Sequence, residues 1–187
     1  MNERNTLQKA TTDDDLLPVV NERDELIGVQ TRRNVHLKRL RHRAVHVAVF
    51  DPGGRLWLQQ RAMTKDTWPG AWDLSATGHV DPGETYDAAA RRELKEELGI
   101  DAEPTFILKL PATEQRGWEF HALYLLHWPG AIDDFNRDEV QAMRSFAIAE
   151  LQTMLEASDP ALRLTPGVGD ALPHLIDALR AGGTEQE

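Results

Sequence analysis

The 187-residue chain has no cysteine, which excludes disulfides, thiolate-held zinc and a cysteine nucleophile, and fits a reducing compartment. It also lacks any apolar run near the ~20 residues that a membrane-spanning helix needs. Its polar N-terminus, MNERNTLQKATTDDD, does not read as a signal peptide. The expectation is a cytoplasmic protein with no membrane partner. Positive charge is in deficit: 21 Lys and Arg stand against 31 Asp and Glu, a formal charge of −10. That balance argues against broad nucleic-acid binding. It leaves room for a small phosphorylated substrate, because a bound cation offsets negative charge locally. Internal repeats and low-complexity segments are missing too.

What is present is an ordinary globular balance, 41% hydrophobic and 28% charged residues. The length suits one domain with a sizeable core. Residues 1–15, polar and closing on Asp13-Asp14-Asp15, read as a mobile tail, and residues 16–187 as a single domain. Leu17–Val20 and Leu26–Val29 read as strands on either side of a turn at Asn21–Glu25. Arg32 to Arg43 holds six basic residues and no acid, a segment that either faces substrate phosphates or is solvated. His36 and His42 within it read as solvent-facing.

His46–Phe50 and Arg55–Gln60 form a hairpin around Asp51-Pro52-Gly53-Gly54. Residues 61–77 read as a long irregular approach. There Arg61, Trp68 and Trp72 are substrate-binding candidates, the alternative for the two tryptophans being that they pin the loop to the core. Phe106–Leu110 and Trp118–Trp128 read as strands and Arg144–Ile148 as a last one. Ala149–Glu156 and Gly167–Leu179 read as helices, with Pro173 in the second helix's first turns or at a kink. This order predicts an α/β or α+β fold, a mixed sheet with helices on both faces.

The chemistry is concentrated in Gly78–Ile100, GHVDPGETYDAAARRELKEELGI. Asp81-Pro82-Gly83 is turn chemistry, Thr85 a helix N-cap, and Gly99 the left-handed stop. In the helix between, Tyr86, Ala90, Leu94 and Leu98 form one apolar stripe, and Glu93, Glu96 and Glu97 share an arc at its border. Three carboxylates beside a loop at the edge of a core suit a hard divalent cation. Taken alone, a Glu-x-x-Glu-Glu face is also what a solvated helix carries, with Arg92 and Glu96 as an i, i+4 pair.

The full spacing resembles the Nudix box, Gly-x5-Glu-x7-Arg-Glu-U-x-Glu-Glu-x-Gly-U with U aliphatic, at every specified position. The resemblance implies an α/β/α sandwich with a mixed sheet and a loop–helix–loop motif. It implies Mg²⁺ or Mn²⁺ held by Glu93, Glu96, Glu97 and the Gly78 carbonyl, with Glu84 and Arg92 orienting them. It also implies hydrolysis of a diphosphate bond in a nucleoside di- or triphosphate or a related derivative, by a monomer or homodimer. Glu97, Glu119 and Glu139 are the candidates for general base, in that order. Thr64–His79 and the His46 strand resemble, more narrowly, the type I isopentenyl-diphosphate isomerase branch. Thr77 stands where that branch has its cysteine, and Arg39 where the first of two N-terminal histidines, six residues apart, is expected. His46 and His79 are kept, and Glu119 is the remaining member of a Glu-x-Glu. An isomerase-like enzyme and a non-catalytic nucleotide-binding domain are the alternatives.

Overall fold

The computed structural model describes residues 12–157 and 163–182. The expected tail lies outside them as far as residue 11. Residues 12–15 lead into β1, where the Asp13 and Asp15 carbonyls accept hydrogen bonds from the Arg33 and Arg32 amides.

Strands β1 (Leu16–Val20) and β2 (Leu26–Thr31) form a two-stranded antiparallel ribbon. Helix α1 (Arg32–Leu37) packs on it through Val35. The main sheet is built on β3 (His42–Phe50), which pairs in parallel with β8 (Glu119–His127) and antiparallel with its other neighbours. Its path runs β5-β4-β3-β8-β7, with β4 Leu56–Arg61, β5 Trp72–Leu74 and β7 Thr105–Leu110. Off this path, β6 (Ala76–His79) pairs with β3, and β9 (Val140–Phe146) pairs with β4.

Side-chain alternation divides the core in two. Val45, Val47 and Val49 of β3, with Ala122 and Tyr124 of β8, pack against Ala89, Ala90, Leu94 and Leu98 of helix α2 (Tyr86–Leu98). Ala48 and Phe50, with Leu123 and Leu125, face helices α3 (Ile148–Ala157) and α4 (Pro166–Gly182) through Leu151, Val168, Leu172 and Leu175. The expected mixed α+β sandwich is the observed one. One local reading is corrected. The stretch 61–77 is not irregular throughout, since it holds β5 and the start of β6; both are too short to show a period. Pro173 lies well inside α4, where its ring is on the exposed side.

Helix α2 is bounded as the sequence suggests. The Thr85 hydroxyl accepts from the Ala88 amide at 3.2 Å, and Gly99 closes the helix in the left-handed region at φ 67°.

Candidate active site: a carboxylate helix and an imidazole cluster on one cavity

Helix α2 brings its carboxylates against the β6 strand. Glu93 is 8% exposed and lies over Gly78, where a Cβ would sit 1.9 Å from Glu93 Oε1 and 2.1 Å from its carboxyl carbon. Glycine is required there because a carboxylate occupies the side chain's place. Gly78→Ala is therefore expected to displace Glu93. It should cut metal affinity by about tenfold or more, the scale seen when support for a ligand is lost. Isothermal titration with Mn²⁺ checks this, and unchanged affinity would mean the carboxylate has room to move.

Arg92 organises this group. Its guanidinium donates to both oxygens of Glu84 at 3.0 Å, to Glu93 Oε1 at 2.7 Å, to Glu96 Oε2 at 3.1 Å, and to the His79 carbonyl at 2.9 Å. Burial opposes its charge, but Glu84 and Glu93 outweigh that and raise its pKa further above the ordinary arginine value. Glu97 is only 2% exposed and lies behind the other two. Its Oε2 accepts from Gln59 Nε2 at 2.8 Å and from the Thr77 amide at 3.0 Å. Burial, with the charge of Glu139 and against that of Lys65, pushes Glu97 up to about 7. Burial and the charge of Glu97 raise Glu93 as well.

A raised acid binds its proton more tightly folded than unfolded, so Glu97 stabilises the metal-free fold below its ordinary value of 4.5 and loses that contribution as pH rises through about 7. In chelator, the melting temperature of Glu97→Gln relative to the parent chain should climb between pH 5 and 8. A pH-independent difference would show that Glu97 carries no uncompensated charge.

The second group is built around Glu119 on β8. Its Oε1 lies 3.2 Å from His42 Nε2 and 3.5 Å from His79 Nε2, and its Oε2 lies 3.0 Å from His121 Nε2. Ring nitrogens of His36, His42 and His79 and an oxygen of Glu119 all fall within 4.8 Å of one another. His42 is fully buried, with Nδ1 2.8 Å from the Leu40 carbonyl. That contact fixes the proton on Nδ1 and leaves a lone pair on Nε2 aimed at a carboxylate oxygen. A proton or a cation has to lie between them. His36 Nε2 and His79 Nε2 are buried with no hydrogen-bond partner. The His121, His42 and His79 imidazoles around it overcome burial and hold Glu119 well below the usual carboxylate range. Burial lowers His36 to about 4, with the neighbouring imidazoles adding to the effect, and lowers His79 against the pull of Glu119. An anionic carboxylate among imidazoles, two of them with an unpartnered ring nitrogen, fits a borderline divalent ion such as Zn²⁺ or Fe²⁺.

Both groups open on one cavity of ≈ 520 Å³. Its wall includes Glu93, Glu96, His79, Glu119, Arg61 and Trp68. Arg61 is paired with Asp73 at 3.2 Å and bonds the Thr67 carbonyl. Trp68, at φ 52° and 40% exposed, lies under the Arg163 guanidinium. Glu139 is also on the wall, paired with Lys65 at 2.8 Å. Trp72 is a correction: it is buried edge-on against Phe146 in the core and takes the pinning role.

His36 and His42 are a second correction, since they belong to the imidazole cluster rather than to a solvated segment. Arg39 instead bonds Glu114 at the surface. The available signal was the six-residue spacing of His36 and His42 themselves.

Residues 40–165 match the NUDIX domain. The chain is 32% identical over 156 residues to a Nudix hydrolase of Clostridium acetobutylicum, covering 77% of this chain and 75% of that one. It is 46% identical over 90 residues to an isopentenyl-diphosphate Delta-isomerase of Serratia proteamaculans, covering 48% and 50% respectively. The match to Nudix hydrolase 3 of Arabidopsis thaliana spans 20% of that longer protein. Among solved structures, DR0079 from Deinococcus radiodurans superposes with a TM-score of 0.75 at 25% identity, covering 85% of this chain and 98% of that one.

Proposed function

The chain belongs to the NUDIX domain family, and from that premise we propose that it is a divalent-cation-dependent hydrolase of a phosphoric anhydride bond. Its substrate is a nucleoside di- or triphosphate or a related nucleoside diphosphate derivative. The observation that carries this reading is the convergence of Glu93 and Glu96 under Arg92 on the cavity wall, with Glu93 seated in the space left by Gly78.

The donor set fits Mg²⁺ or Mn²⁺: Glu93 and Glu96 offer oxygen ligands, and burial with the charge of Glu97 raises Glu93 despite the Arg92 guanidinium beside it. Such an ion supplies Lewis acidity and a bound water acidic enough to ionise near neutral pH. Glu93 and Glu96 hold the ion, and Arg92 fixes both carboxylates in place. Glu97 anchors the Thr77 amide beneath them and adds negative charge. Lys65 and Arg61 face the cavity as partners for phosphate oxygens, and Trp68 at its rim offers a stacking surface. Glu139 is the carboxylate best placed to take a proton from attacking water, since Glu97 is enclosed and Glu119 is committed to imidazoles. The imidazole cluster holds a second, borderline ion.

A panel of nucleotides and nucleotide derivatives with Mg²⁺ or Mn²⁺, read by phosphate and pyrophosphate release, tests the reading. Hydrolysis of none of them would remove it. The cluster around Glu119 and the identity to the Serratia isomerase favour a second reading, allylic isomerisation of isopentenyl diphosphate. Thr77 lacks the thiol's acidity, so no isomerised product is expected. Product that disappears in Thr77→Val would establish this reading instead.

A further inference from the structure

The fold gives the two oxygens of Glu119 to different imidazoles. Oε1 faces His42 and His79, on the side that also holds His36, while Oε2 faces His121 at 3.0 Å. His121 stacks on His46, their ring centroids 4.1 Å apart. One nitrogen of His46, one of His121 and one oxygen of Glu119 lie within 4.8 Å of one another.

His46 is the informative member. It sits in the middle of β3, 8% exposed, on the cavity wall. Among the described residues none hydrogen-bonds its ring. A ring on the cavity wall with no protein partner is open to a ligand. The start of α4 is cut to accommodate this ring: a Cβ at Gly167 would come 2.8 Å from His46 Cε1 and 3.2 Å from Nδ1.

We propose that Glu119 bridges two divalent cations, one among His36, His42 and His79 and a second held by His46, His121 and Glu119 Oε2. The inference rests on the first imidazole site being a cation site. Two imidazoles and a carboxylate suit a borderline ion such as Zn²⁺ or Co²⁺. Three protein ligands leave positions open on the cavity side for water or a phosphate oxygen. Two bonds of ~2.1 Å span at most ~4.2 Å, so the ligand atoms close by a few tenths of an ångström and the stacked rings open apart. Ions bridged in this way stand ~3.5–4 Å apart, the spacing that clamps both oxygens of a displacement at phosphorus.

The test is Co²⁺ titration of the full chain in excess Mg²⁺, which occupies the oxygen-only site on α2. Imidazole-bound Co²⁺ is counted by its visible absorption and by metal analysis, and coupling between ions by electron paramagnetic resonance. Two equivalents with magnetic coupling are expected. His46→Gln and His36→Gln should each keep one equivalent and lose the coupling, and Glu119→Gln should weaken both sites. His121→Gln repeats the His46 arm independently, and circular dichroism verifies each fold. A single equivalent that survives His46→Gln and His121→Gln but is lost in His36→Gln overturns the bridge and leaves the first site standing. No imidazole-bound Co²⁺ at all overturns both.

Discussion

Glu96→Gln is expected to lose about 10²-fold or more in kcat, the scale of removing transition-state electrostatics, and Glu93→Gln at least as much. Glutamine keeps size and shape but removes the charge a hard cation needs. Glu96 is the cleaner experiment, because its side chain is 46% exposed and little packing depends on it. Glu93 is enclosed over Gly78, and its neutral replacement should leave metal-free stability unchanged or raised, since burial already disfavours its charge. The two losses should not add, because they dismantle one site. Glu103→Gln, whose carboxylate pairs with Arg91 at the surface, is the control and should be neutral. Turnover with Mg²⁺ and metal-free melts are measured together. Parent-like rates in Glu96→Gln would mean that the arc of acids on α2 is merely a solvated face.

Arg92→Met should be the most destabilising single change at the site. Methionine retains much of the stem's packing, but Glu84 and Glu93 are left 15% and 10% exposed with no cation beside them. Removing one partner of an enclosed ion pair costs about 3–5 kcal/mol, or roughly 2–4 °C per kcal/mol for a chain of this length. The loss should narrow at low pH, where protonation neutralises the stranded carboxylates. Arg92→Lys should recover only part, because an ammonium cannot reproduce the paired bonds to Glu84 while also reaching the His79 carbonyl. A melting temperature within 2 °C of the parent chain in Arg92→Met would show that water already screens these charges.

The carboxylate half of the site was legible because its geometry is local. Thr85, Gly99 and the spacing of Glu93, Glu96 and Glu97 are all set by one helix, whose rotation per residue is known in advance. Even so, spacing could not tell that Glu97 turns inward to Gln59, a partner 38 residues away. The imidazole half was misread for the same physical reason on a larger scale. His36, His42, His79 and Glu119 come from a helix and three strands, and no local period relates them. Trp68 and Trp72 differ by four residues and by everything else. The short strand β5 carries Trp72 into the core, while Trp68 stays at the rim on a backbone with positive φ.

The parallel pairing of β3 with β8 has a consequence for how the chain acquires its fold. His42 meets Glu119 across 77 positions of sequence, and the intervening chain holds β4, β5, β6, α2 and β7. The centre of the sheet is thus a long-range contact, and loop-closure entropy must be met before it forms. The β3–β4 hairpin and helix α2 can organise early, whereas the imidazole cluster has no existence until β8 docks. During synthesis, a chain that has not yet released His127 has its arc of acids, but its imidazoles lack a seated Glu119 to gather around. An ion captured at Glu119 would therefore report that the last central strand has seated, and would slow its departure.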